Sequence, residues 1–361
     1  MALTIDADLI TDFEDIDPKV IAYCITLHQK QLKRFDQLSD YYDGKHEIFN
    51  RKMDSENAKN VKVMVNNAKV VTDMMVGFSG GNPVGYAAAK DKNIDAVLDV
   101  YEEIDIATHD IEMLKDLSVF GVAYELHYIR IKPDQEEMPE GESPEIEPRI
   151  KAVDPRGIFL VTDDTLERNK LFACHYYKKY DLDGAVNGYQ VDVYTRKRIN
   201  KYKAKDLSLS EGNYEKAPPI ETFYNSVPVI EIRNNEEKQG DFEQQISLID
   251  AYNLLQSDRI ADKEAFIDSI LFLYGFTIQE DEDGNPKPLV KNGVISAPST
   301  GGEDGAKAEW LTKAFVEKDV QVLSRSIEDD IHKTTYVPNL NDEKFGGTIS
   351  GKSLPLMLEI A

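Results

Sequence analysis

The stretch from Glu243 to Tyr336 constrains this chain most, because it reads as two long helices separated by an extended excursion. From Glu243 to Leu271 there is neither proline nor glycine. Apolar residues recur at Ile246, Ile249, Leu254, Leu255, Ile260, Ala261, Ala265, Ile267, Ile270 and Leu271, at helical spacing. At 1.5 Å per residue, a helix over 243–271 would span about 43 Å. Phe272 to Gln279 is then aromatic and β-like, Glu280 to Pro286 is turn-forming, and Leu289 to Ala297 is a candidate returning strand. Pro298 to Gly305 is a polar loop. A second helix is expected over 306–336, with Val316, Val320, Leu323, Ile327 and Ile331 on one stripe. Trp310, Leu311 and Phe315 widen that stripe near its start. If the two helices pair antiparallel, the excursion sits at their far end. Each buries only one face against the other, so the remaining surface wants neighbours, as in a ring of stalks. Periodicity alone fits a helical hairpin packed on its own domain equally well.

The region upstream is mixed. Asp17 to Tyr42 is expected to be helical, with Asp17 as cap and Pro18 in the first turn. Further helices are expected over 66–78 and 91–120, the latter broken near Ile106, and a short strand over Val61–Val65. From Gly121 the period changes. Val122–Arg130, Arg149–Val153, Ile158–Thr162, Leu171–Lys179, Tyr189–Arg196, Arg198–Tyr202 and Val227–Ile232 form an antiparallel β region over 121–233. Lys132 to Pro148 is rich in Glu and Pro and reads as a solvated loop. The expected class is therefore α+β.

Charge narrows the function. With 66 acidic and 42 basic residues the net charge is −24. A sequence-specific DNA reader wants a basic face, so that class is disfavoured. A wall past which DNA slides is compatible with like charge, and so is simple solubility. The two cysteines, Cys24 and Cys174, form no CxxC and read as reduced, buried thiols. The N-terminus lacks the features of a signal peptide, and no apolar run approaches the ~20 residues that span a bilayer, so no membrane partner is expected.

Motifs for catalysis are weak. Gly77-Phe78-Ser79-Gly80-Gly81 matches G-x-S-x-G, but a nucleophile elbow needs a strand before the serine, and helix precedes this one. Asp281–Gly284 and Asp181–Gly184 resemble calcium loops without the full spacing, and read as hairpin turns. The six histidines are scattered, with no HExxH and no metal-ligand spacing, and no Walker sequence occurs. Neither a catalytic residue, a metal site nor a cofactor is expected. An acidic, metal-dependent nuclease or hydrolase and a monomeric adaptor scaffold are the alternatives to a structural conduit.

Several segments together resemble the portal proteins of tailed phages, the ring-shaped head–tail connectors. They are Tyr41-Tyr-Asp-Gly-Lys-His-Glu-Ile, Asn66-Asn-Ala-Lys-Val-Val-Thr-Asp, Val119-Phe-Gly-Val-Ala-Tyr-Glu-Leu, Val227-Pro-Val-Ile-Glu-Ile-Arg-Asn-Asn-Glu-Glu and Ile249-Asp-Ala-Tyr-Asn-Leu-Leu-Gln-Ser-Asp. The resemblance implies a wing over 1–240, a first stem helix over 243–271, a small β clip over 272–305 and a second, antiparallel stem helix over 306–336. It implies a tunnel loop over 339–351, in which Asn341, Lys344, Phe345, Gly346, Gly347 and Gly351 face the DNA channel. Residues 352–361 would open a helix that in the family continues into further wing and a crown. Clip residues Glu280, Asp281, Asp283, Asn285, Lys291 and Asn292 would dock partners. Those partners would be other copies in a ring of about twelve, the terminase large subunit, head-completion proteins, the capsid protein and double-stranded DNA passing non-specifically. The implied location is the portal vertex of the virion, reached from the host cytoplasm.

Overall fold

The side chain of Asp17 accepts a hydrogen bond from the Lys19 backbone N–H at 2.8 Å, and Pro18 occupies the first position of helix α1 (Pro18–Tyr42). The helix stops where Gly44 adopts a left-handed φ of 82°. In this computed structural model we describe residues 3–53, 60–90, 92–131, 146–267, 270–274, 290–291, 294–295, 307–311 and 317–339. They divide into two compact units, one from Met1–His46, Val65–Ile249 and Asp329–Ala361, the other from Glu47–Met64 and Asp250–Glu328. The fold is α+β.

In the first unit, Ile21, Cys24 and Ile25 of α1 are fully buried against a seven-stranded sheet. Its strands run in the order β1 (Leu3–Ile5), β4 (Ile158–Asp163), β5 (Lys170–Tyr180), β6 (Val186–Tyr194), β7 (Arg198–Ala204), β8 (Tyr214–Lys216), with β9 (Ile220–Glu221) also paired to β7. Neighbouring strands are antiparallel except β1, which pairs parallel to β4. Phe159, Phe172, Val191, Val193 and Tyr202 alternate onto the α1 side, as a period-two pattern requires. Each contributes roughly 1.5–3 kcal/mol through burial. Both thiols lie unpaired in this core, and burial pushes Cys24 up to about 12. His28 bonds Tyr176 Oη at 2.7 Å and Pro155 O at 3.0 Å, and burial lowers its pKa to about 4, so it is a neutral core histidine.

A second, three-stranded sheet has the order β10 (Val229–Arg233), β2 (Val122–Ile131), β3 (Ile146–Val153). The β region expected over 121–233 is thus two sheets. Three helices lie before it: α2 (Asn67–Gly80), α3 (Asp95–Glu103) and α4 (Ile106–Phe120). Helix α2 runs past the expected 66–78, and the expected helix over 91–106 is shortened to α3. Gly121 ends α4 at φ 75°, and a Cβ there would meet Lys238 O at 2.2 Å. The loop before residue 243 is fixed at the same place. Arg34 of α1 donates to Glu243 at 2.6 Å and to Lys238 O at 2.8 Å. Lys238 pairs with buried Glu231, which also accepts from Tyr124 Oη at 3.0 Å. Burial would raise the Glu231 carboxyl, but the ammonium beside it holds it below its ordinary value.

Residues 61–65 do not form the expected strand. Residues 47–64, expected to lie in the wing, group with the second unit.

Candidate functional site

The second unit is built on the helix–excursion–helix. Helix α5 covers Ile246–Ile267 rather than 243–271, about 33 Å by its rise. Ile270-Leu-Phe-Leu-Tyr274 forms strand β11 instead of the helix end. Ile270, Phe272 and Tyr274 are β-branched or aromatic, and such residues favour a strand once a partner exists. The partner is β14 (Lys307–Leu311), antiparallel, with Leu271 opposite Trp310 and Tyr274 opposite Lys307. Trp310 and Leu311 therefore stand in a strand, and the second helix, α6, covers Glu317–Thr335 rather than 306–336. Lys-Ala-Glu-Trp-Leu contains good helix formers, and strand pairing overrides that local preference. The expected returning strand over 289–297 is instead a small hairpin of β12 (Val290–Lys291) and β13 (Val294–Ile295), and β14 makes the return.

Side chains tie the two helices together. Gln256 Nε2 donates to Ser324 Oγ at 2.7 Å. Arg259 pairs with Glu317, and Lys263 Nζ lies 3.4 Å from the same carboxylate. As numbering rises from 256 to 263 on α5 it falls from 324 to 317 on α6, so the helices run antiparallel. The hydrogen bond from Arg259 holds the Glu317 carboxyl below its ordinary value. Val63 lies against α5. The Val63 N–H donates to Ser257 Oγ at 2.9 Å, and that hydroxyl donates to Asn253 O at 2.7 Å. Arg51 pairs with Asp258 at 2.6 Å. These bonds explain why 47–64 leaves the body, and nothing in its polar sequence announced them.

The pair leaves apolar surface uncovered. Val322 is 64% exposed, Leu323 52%, Leu254 44% and Ile260 40%. Among the described residues of the expected α6 stripe, Ile331 is buried, Val320 and Ile327 are half-buried and Leu323 is exposed. Four carboxylates face two bases in α5, and five face three in α6, so each helix is net acidic.

Of the expected partner-docking residues, Lys291 lies in β12 opposite Val294. Glu280, Asp281, Asp283, Asn285 and Asn292 lie outside the described residues, as do the channel residues Asn341, Lys344, Phe345, Gly346, Gly347 and Gly351. The first calcium-like motif, Asp281–Gly284, lies outside them too. The second is a turn, with the Asp181 carboxylate accepting from the backbone N–H groups of Asp183 and Ala185. Ser79 sits in the last turn of α2, where no strand precedes it.

One acid–base cluster escaped the sequence reading. Glu125 of β2 accepts from His109 of α4 at 2.8 Å and from His127 at 2.7 Å, and these bonds lower its carboxyl to about 2. Both carboxylate oxygens are occupied and His109 is buried, so the cluster locks α4 to β2. Only the fold brings 109 next to 125. Among the described residues no group of three His, Cys, Asp or Glu is placed to hold a metal ion, and no helix is long and apolar enough to cross a membrane.

The helices thus pair antiparallel, carry a β insertion and leave apolar side chains exposed. The corresponding class is found in comparison with known proteins: the family model described as "Phage portal protein, SPP1 Gp6-like" matches residues 21–359, and the chain belongs to that family. A relative is the portal protein of Bacillus phage SPP1, 26% identical over 211 residues. That match covers 55% of this chain and 40% of the relative's length.

Proposed function

We propose that this chain is a structural subunit of a phage portal, a ring of about twelve copies at one capsid vertex through which DNA is packaged and ejected. The carrying observation is the family match over 21–359 on a chain whose α5 and α6 pair antiparallel around a β insertion. In this reading α5 and α6 are the stem, and the insertion near 272–305 is the clip that docks the terminase large subunit and then head-completion proteins. The segment 339–351 is the tunnel loop. Lys344 would supply one weak, movable phosphate contact per subunit, repeated around the ring, and Gly346, Gly347 and Gly351 the freedom to follow passing DNA. The acidic helices fit a channel wall that does not grip DNA. Val322, Leu323, Leu254 and Ile260 would be covered by adjacent subunits and the capsid protein would surround the wing. The role asked of the protein is positional, with no reaction to catalyse.

Native mass spectrometry with negative-stain imaging tests this. The purified chain is expected as closed rings of about a dozen subunits with a central hole. A strictly monomeric particle across concentrations and salt would overturn the reading. The channel assignment is tested separately: Lys344→Glu in the assembled portal should slow DNA packaging, and normal packaging would sink that assignment.

A further inference from the structure

The outer face of the seven-stranded sheet carries a basic trough that the conduit role does not use. In a chain of net charge −24, the ten residues 196–205 hold six bases and no acid. Two of them, Lys203 and Lys205, line a cleft of about 790 Å³ at the end of β7, together with Lys179, Gly188, Tyr189 and Tyr214. Gly188, at φ 89°, comes so close to β7 that a Cβ there would meet Ala204 O at 2.5 Å. Lys179 on β5 and Lys205 at the end of β7 stand on opposite banks, two strand spacings or about 10 Å apart. Lys203 and Lys205 lie two residues apart, about 6.7 Å along the strand.

Two neighbouring bases have ion partners, and among the described residues the three lysines of the cleft have none. Arg198 pairs with Glu221 and Lys216 with Asp15. Among the described residues no carboxylate oxygen lies within 4.0 Å of the Lys179, Lys203 or Lys205 ammonium, although Glu215 is the direct cross-strand partner of Lys203. Lys179 instead rests over the Tyr177 ring, 5.1 Å from its centroid, which leaves its charge available. Three ammonium groups against the one Glu215 carboxylate leave the trough with a net charge of about +2. Clustered, unpaired like charges raise one another's energy until an anion arrives.

We propose that this trough binds the phosphate groups of an anion one chain wide, a single nucleic-acid strand or a short polyphosphate. The banks are too close for a duplex to enter. The lysine spacing is about twice the 3.4 Å per phosphate of one strand. This assignment does not depend on the portal reading.

Fluorescence anisotropy of labelled oligothymidine with the intact chain tests it. Saturable binding is expected at low salt, with a log–log salt slope of about −2 for three phosphate contacts. K203E/K205E should weaken binding by about tenfold or more and flatten the slope, while K19E, distant in sequence on α1, should not. These exposed substitutions should leave the melting transition in place, so loss of binding is not loss of fold. Sodium tripolyphosphate competing for the trough supports the phosphate assignment and, if oligothymidine itself does not bind, identifies a small free phosphate compound as the source. Binding that is equal in wild type and K203E/K205E, tighter binding of a duplex than of the single strand, or no binding of either probe would overturn it.

Discussion

Phe159, Phe172 and Tyr202 in the seven-stranded sheet are enclosed by the chain itself, whereas Val322 and Leu323 on α6 are more than half exposed. The sheet closes its core with α1. The helix pair is joined by polar bonds, Gln256 to Ser324 and Arg259 to Glu317, and leaves apolar side chains unspent. The contrast teaches where each region finds its stability. The body's burial is internal, and the helix pair's burial would be completed by other copies in the proposed ring.

Breaking the enclosed side should have the largest effect. Phe172→Ala opens a cavity in a fully buried position and should cost about 3–5 kcal/mol, read as a lower urea midpoint. If it costs under about 1 kcal/mol, the sheet is not the stability centre.

The next effect is a pH dependence within the body. Burial, reinforced by Asp154 and Glu112 and opposed by Lys115 and Arg156, raises Asp116 to about 7. The folded state then binds more protons than the unfolded state between roughly pH 4 and 7, so stability falls as pH rises through that window. Asp116→Asn should flatten the profile and raise stability at pH 8 by up to about 4 kcal/mol. Thermal melts of both proteins from pH 5 to 8 measure this, and parallel profiles would refute it.

Arg34→Met should cost about 1–3 kcal/mol, because it leaves Glu243 unpaired and Lys238 O without a donor. The smallest folding effect is expected on the open side. Val322→Ser with Leu323→Ser should change subunit stability by less than about 0.5 kcal/mol while shifting native mass toward monomer. A large melting change with unaltered assembly would reverse the comparison.

Legibility followed the length of the signal. The cap at Asp17 and Pro18, the strands from Ile158 to Ala204 and the end of α4 at Gly121 lay where local rules put them. Strand β1 is three residues long and carries no readable period. The helix ends near 271 and 306 were misread because Ile270–Tyr274 and Lys307–Leu311 choose strand only when they meet each other. The extended stretch 61–65 was misread as a strand because its bonds go to Ser257 of a helix. Of the candidate docking and channel residues, Lys291 alone falls among those described.

The sequence by itself determined the helix–excursion–helix order, the α+β class and the acidic balance, because periodicity and charge are local sums over neighbouring residues. Tertiary structure alone decided the antiparallel pairing of α5 with α6, the move of 47–64 to the helix pair, the His109–Glu125–His127 lock and the lysine trough. Each of these joins side chains distant in the chain, and only folding sets their separation.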